Sequence, residues 1–206
     1  MTPPEVHFDG DKSAPLRVLL AHGAGAPMDS PFMQTMSEGL VALGFAVARF
    51  EFPYMAMRRV DGKKRGPDKA EKLLESFRDV ISGFDAKRLI IGGKSLGGRM
   101  ASMIADETGV RGVVCLGYPF HPPGKPEKTR TAHLESLTTP ALILQGERDT
   151  FGTRSDVEAY DLSASIQLRW LPDGDHSFKP RKKSGITEAD NLQAAIAAVC
   201  EFSNAL

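Results

Sequence analysis

Two cysteines in 206 residues are too few for a disulfide framework. Cys115 lies in an apolar, strand-like run and Cys200 in a terminal amphipathic run, which predicts two reduced thiols. Net charge is also missing: 26 basic side chains balance 26 acidic ones, so nothing global points to a nucleic-acid partner. No apolar run approaches membrane-spanning length. Met1 to Lys12 is polar and acidic with two prolines, without the basic and apolar regions of a secretory leader. These absences predict a cytoplasmic protein with neither a nucleic-acid nor a membrane partner. They leave the oligomeric state open. No repeat, low-complexity block or long flexible linker divides the chain, so residues 1–206 are expected to form a single domain. A globule of that size buries roughly 70% of the surface its unfolded chain exposes. One phosphate-binding signal is incomplete. Gly93-Lys94-Ser95 ends like a Walker A loop, but Arg88 stands where the first glycine is required.

What is present is an alternation of strands and helices. Val6 to Phe8 reads as a short edge strand and Leu16 to Ala21 as a buried one. Ser30-Pro31 then opens a helix carrying Phe32, Met33, Met36, Leu40 and Leu43 at helical spacing. A strand from Phe45 to Phe50 precedes a polar excursion, Pro53 to Pro67, and a helix is predicted over 68–81. Strands are expected over 89–91, 112–116, 141–145 and 167–171. Short helices are expected near His133 and over 157–162. A terminal helix is capped by Thr187, with Leu192, Ala195, Ile196 and Val199 on one face. The pattern predicts an α/β fold: a mostly parallel sheet with helices on both faces and functional residues beyond the carboxyl ends of the strands.

Gly93-Lys94-Ser95-Leu96-Gly97 fits the G-x-S-x-G elbow, in which a serine sits on a sharp turn between strand and helix. A serine hydroxyl is a poor nucleophile at neutral pH, so the elbow needs a base and a group to orient that base. Asp149 follows one predicted strand and His176 the next, and a parallel sheet gathers all three on one edge. Of the other candidates, His121 sits in a proline-rich loop, His133 also precedes the acid, and His7 is near the amino terminus. Glu147 is two residues nearer its strand than Asp149, and Asp175 is too close along the chain to sit behind the His176 ring. Two backbone donors are needed for an oxyanion, each worth roughly 3 to 4 kcal/mol when tested by removal. Leu96 N–H is one, at the start of a helix. Ala24 N–H, in the loop His22-Gly23-Ala24-Gly25, is the second, with Gly25 in reserve. His22 is then expected to hold that loop by hydrogen bonds.

Four stretches resemble the α/β-hydrolases, and in particular the small lid-free group related to dienelactone hydrolases and to testis-expressed protein 30. They are His22-Gly-Ala-Gly-Ala-Pro-Met-Asp-Ser-Pro31, Gly93-Lys-Ser-Leu-Gly-Gly98, Gly117-Tyr-Pro-Phe-His-Pro-Pro-Gly-Lys-Pro126 and Gln145-Gly-Glu-Arg-Asp149. The resemblance implies a minimal α/β-hydrolase fold without a large cap. It does not carry dienelactone as substrate, because dienelactone hydrolases use cysteine where this chain has Ser95.

The segment between Leu116 and Ala141 is too short for a large cap, which predicts an open pocket. Tyr118, Phe120, His121 and Tyr54, with Phe52 and Met55, are candidates for its walls. Basic residues cluster at 58–65 and 179–183, either as solvated charge or as a rim that steers anionic acyl substrates. The expectation is a serine hydrolase acting on small-molecule carboxylic esters or thioesters through Ser95, His176 and Asp149, with no metal or other cofactor. The alternative is a non-catalytic binding or scaffold protein on the same fold. Peptidase and acyltransferase chemistry stay open, as do the acyl chain and leaving group.

Overall fold

The computed structural model describes residues 4–206. Met1 to Pro3, part of the stretch read as lacking a leader, lie outside the described residues. Seven strands form one sheet: β1 (Val6–Asp9), β2 (Arg17–Ala21), β3 (Ala46–Phe50), β4 (Leu89–Lys94), β5 (Gly112–Leu116), β6 (Ala141–Gly146) and β7 (Ile166–Leu171). Their order across the sheet is β1-β3-β2-β4-β5-β6-β7. β1 runs antiparallel against β3, and the other pairs are parallel. The helices are α1 (Pro31–Ala42), α2 (Pro53–Asp61), α3 (Ala70–Ile81), α4 (Leu96–Thr108), α5 (Arg154–Val157) and α6 (Glu188–Asn204). Among the described residues none is long and apolar enough to cross a membrane.

Alternation along the strands divides the core into two layers. In β2, Val18 and Leu20 face α1 and α6, meeting Met33, Met36, Leu40, Ala195 and Val199. Leu19 and Ala21 face the other way, toward Phe77 and Val80 of α3 and Met100 and Ile104 of α4. Strands buried on both faces read as continuous apolar runs, which is why the central ones were visible without an alternating pattern. β7 is different. Its residues alternate between partly buried and exposed until Leu171, as suits an edge.

Two elements differ from expectation. The stretch read as a polar excursion begins with α2. Pro53 occupies its first turn, where no intrahelical donor is lost, and Gly62 ends it at φ 69° with its N–H bonded to Arg58 O. Two of its basic residues, Arg58 and Arg59, lie in the last turn of that helix, and Lys63, Lys64 and Arg65 follow its end as irregular chain. The helix expected over 157–162 is instead α5, one turn from Arg154 to Val157 set by a capping box between Thr153 and Asp156. Tyr160 and Leu162 follow it as irregular chain packed against the core. The short helix near His133 is a 3-10 turn over Ala132–Leu134.

Candidate functional site

The elbow begins in the centre of the sheet. β4 pairs with β2 on one side and β5 on the other, and Ser95 N–H extends the second ladder by bonding Leu116 O at 3.1 Å. The chain then reverses abruptly. Ser95 adopts φ 50° and ψ −106°, a left-handed φ that a non-glycine residue holds only at a cost of about 1–3 kcal/mol. Its carbonyl accepts the first bond of α4, from Arg99 N–H at 3.0 Å. Tight passage beside β2 explains the glycine after it, because a Cβ on Gly97 would lie 2.2 Å from Ala21 O. The serine side chain is thereby raised above the carboxyl edge of the sheet.

Asp149 and His176 leave the neighbouring strands β6 and β7 on the same edge. Ser95 Oγ lies 2.8 Å from His176 Nε2, and His176 Nδ1 lies 2.7 Å from Asp149 Oδ2. With Nδ1–H given to the carboxylate, Nε2 is the acceptor for the serine proton. Asp149 is fully buried, and its oxygens are satisfied: Oδ1 accepts Phe151 N–H at 2.8 Å, and Oδ2 also accepts Gln145 Nε2 at 2.9 Å. Gln145 was not foreseen. It is fully buried at the end of β6, and its amide clamps the Tyr118 peptide as donor and acceptor while also donating to Gly152 O. Phe151 was missed as well. Its ring stacks on the His176 imidazole with centroids 4.3 Å apart.

The weighed alternatives are otherwise engaged. Glu147 pairs with Arg154 and accepts Asp173 N–H, and Asp175 closes its own turn by accepting the N–H groups of Ser177 and Lys179. Exposed His7 bonds Asp9, while His121 is buried with Nδ1 on Pro122 O. Ser102 Oγ, in the middle of α4, and His133 Nε2, in the 3-10 turn, form a second serine–histidine pair at 2.9 Å. Burial, helped by the Arg99 guanidinium, pushes the His133 pKa down to about 4.

The loop after β2 is held as a scaffold. His22 is fully buried, with Nδ1 donating to Gly23 O at 2.6 Å and Nε2 accepting Phe52 N–H at 3.1 Å. Burial lowers its pKa, consistent with a neutral ring. Tyr54 OH donates to Ala24 O at 3.0 Å, and burial raises the pKa of that phenol. Further along, Glu51 accepts Met28 N–H and pairs with Arg59, which also reaches Asp29. Arg65 pairs with Asp61, Lys179 with Glu188 and Arg181 with Asp173, so part of both basic clusters is neutralised locally.

A pocket of about 370 Å³ opens beside Ser95 and His176, lined by Ala24, Ala26, Phe32, Met33 and Phe151 among others. Ala24 is therefore on its wall, and Leu96, the first residue of α4, has an N–H without an intrahelical acceptor. The aromatic residues expected on the wall are elsewhere. Tyr118 and Phe120 are fully buried in the layer under α3 and α4, Tyr54 braces the loop from behind, and His121 is enclosed near Asp156. Phe52 and Met55 belong to the same buried layer. Which face of a loop a ring occupies is decided by the helices that cover it, and those rings fill core volume. Phe32 was legible only as a helix position, two residues past the Ser30 cap.

The fold is shared widely. An alpha-beta serine hydrolase homologue from Coxiella burnetii superposes with a TM-score of 0.72 at 18% identity, over 96% of this chain and 91% of that one. A serine hydrolase without a lid from Xanthomonas campestris gives 0.71 at 18% identity, over 98% and 96%. Dienelactone hydrolase from Anabaena variabilis gives 0.71 at 21% identity, over 97% and 90%. A family model described as an alpha/beta hydrolase domain matches residues 14–204. The seven-stranded sheet, its helices on both faces and the absence of a large cap among the described residues agree with that match, and the chain belongs to the alpha/beta hydrolase family.

Proposed function

We propose that this protein is a serine hydrolase that cleaves carboxylic esters or thioesters through an acyl-enzyme. The observation that carries the reading is the unbroken relay from Ser95 Oγ through His176 to buried Asp149, at 2.8 and 2.7 Å. Ser95 attacks the acyl carbonyl while His176 Nε2 takes its proton. Asp149 fixes the ring and favours the imidazolium that forms. The oxyanion is received by the N–H groups of Leu96 and Ala24, the first backed by the positive end of α4. His176 then returns its proton to the leaving alcohol or thiol, activates a water, and free Ser95 is regenerated. The apolar wall formed by Ala26, Phe32, Met33 and Phe151 suits an uncharged acyl chain of modest size.

A fluorophosphonate probe is expected to label the folded protein once, at Ser95, and p-nitrophenyl esters of graded chain length are expected to give a burst of p-nitrophenol. Absence of labelling, or labelling that persists in Ser95→Ala, would overturn the assignment in favour of a binding protein on a hydrolase fold.

A further inference from the structure

Lys94, the variable residue of the elbow, is placed in a way the reaction described above does not explain. Its stem passes the loop after β2, where a Cβ on Gly23 would lie 3.4 Å from Lys94 Cγ. Its ammonium then donates a hydrogen bond to the backbone carbonyl of His176. The rings of Phe32 and Phe178 face the same nitrogen, with centroids 5.2 and 5.6 Å away. Space for it exists because residue 117 is glycine, at φ 72°: a Cβ there would stand 2.8 Å from Lys94 Nζ and 3.4 Å from His176 Nδ1. The ammonium and the imidazole thus border the same small gap.

No carboxylate among the described residues forms an ion pair with this ammonium. The first turn of α1 presents the Phe32 ring and the turn after β5 presents Gly117. The loop after β6 brings Asp149, and the loop after β7 brings Asp175, His176 and Phe178. Burial pushes the Lys94 pKa down to about 8, against the pull of the Asp149 and Asp175 carboxylates. Holding a charge there is unfavourable, and an apolar side chain of similar length would fill the space without that penalty. The ring faces offset part of it by cation–π attraction.

We propose that Lys94 is a positioning residue: its hydrogen bond anchors the His176 carbonyl so that the imidazole stays between Ser95 and Asp149. The proposal rests on the reading of His176 as general base.

The test compares Lys94→Met and Lys94→Arg with wild type on a p-nitrophenyl ester. Lys94→Met is expected to lower kcat by about 10- to 100-fold with KM nearly unchanged. Lys94→Arg, which keeps a donor for the carbonyl, is expected to restore most of that loss. Equal falls in kcat in Lys94→Met and Lys94→Arg would reduce Lys94 to a packing role and overturn the proposal, as would an unchanged Lys94→Met enzyme. If Lys94→Met fails to fold, Lys94→Gln takes its place. A second readout needs no turnover: the NMR signal of the His176 Nδ1 proton, with and without Lys94→Met. Broadening or loss of that signal without the ammonium supports the proposal and an unchanged signal refutes it. Failure of the hydrolase reading would show separately, as wild-type protein that neither labels nor turns over esters.

Discussion

Two serine–histidine pairs of almost equal length occupy the two ends of this comparison, Ser95–His176 at 2.8 Å and Ser102–His133 at 2.9 Å. Distance does not separate them, but proton direction does. Ser102 gives its single proton to Arg99 O at 2.9 Å, so its oxygen accepts from His133 Nε2–H. His133 is then a donor, with no carboxylate behind it and Arg99 disfavouring its charge. At Ser95 the order is reversed. His176 keeps Nδ1–H on Asp149, which leaves Nε2 free to take the serine proton. Only Ser95 also stands on a strained turn beside an open pocket, whereas Ser102 is buried in a regular helix turn. A nucleophile is defined by where its proton can go and what can approach its oxygen.

The comparison can be broken most directly by exchanging alanine for each serine. Ser95→Ala is expected to lower kcat on p-nitrophenyl esters by about 10⁴-fold or more. Ser102→Ala is expected to stay within about threefold of wild type while losing about 1 kcal/mol of stability in urea unfolding. Equal losses in the two variants would dissolve the distinction. Asp149→Asn comes next, with kcat down about 10³- to 10⁴-fold, because an amide at that position stabilises the wrong histidine tautomer. Gln145→Leu sharpens the picture further along the relay. Removing one donor from Asp149 and two bonds from the Tyr118 peptide is expected to lower kcat about tenfold and the unfolding free energy by about 1–3 kcal/mol. The smallest effect concerns His133. Its folded pKa of about 4 lies below the ordinary 6.5, so the unfolded chain binds the proton first as pH falls. The stability tied to neutral His133 is present above about 6.5 and drains away toward 4. Urea midpoints measured from pH 7 to 4 are expected to fall less steeply in His133→Gln than in wild type.

The strands, the elbow and the order of Ser95, Asp149 and His176 were legible because each is written locally: apolar runs, a glycine-framed serine, and polar residues just past strand ends. The scaffold role of His22 was legible for the same reason. α2 was not, since its charged last turn and leading proline resemble a loop unless Gly62 is read as its stop. The helix expected over 157–162 followed apolar spacing that belongs to core filling, while the Thr153 capping box drew the single turn upstream. The pocket wall was legible least. Tyr118 and Phe120 precede and follow a proline at a strand end, and only the covering helices decide that they face inward. Phe151 meets His176 because the Asp149 turn closes on its N–H, a contact set by tertiary geometry. Gln145 looked like one more residue of a strand, and its part in holding Asp149 follows from a side-chain direction that sequence spacing does not supply.

The lack of a large cap among the described residues reaches beyond access. In the proposed cycle an acyl group on Ser95 would hang over an edge that no other described element shuts off, so its second half would be a contest among whatever nucleophiles diffuse past. Water outnumbers every competitor, and an open rim gives an alcohol or amine no enclosure that ranks it higher. In the proposed cycle so open a site would pass its acyl group to water, which biases the chemistry toward breaking bonds rather than exchanging them.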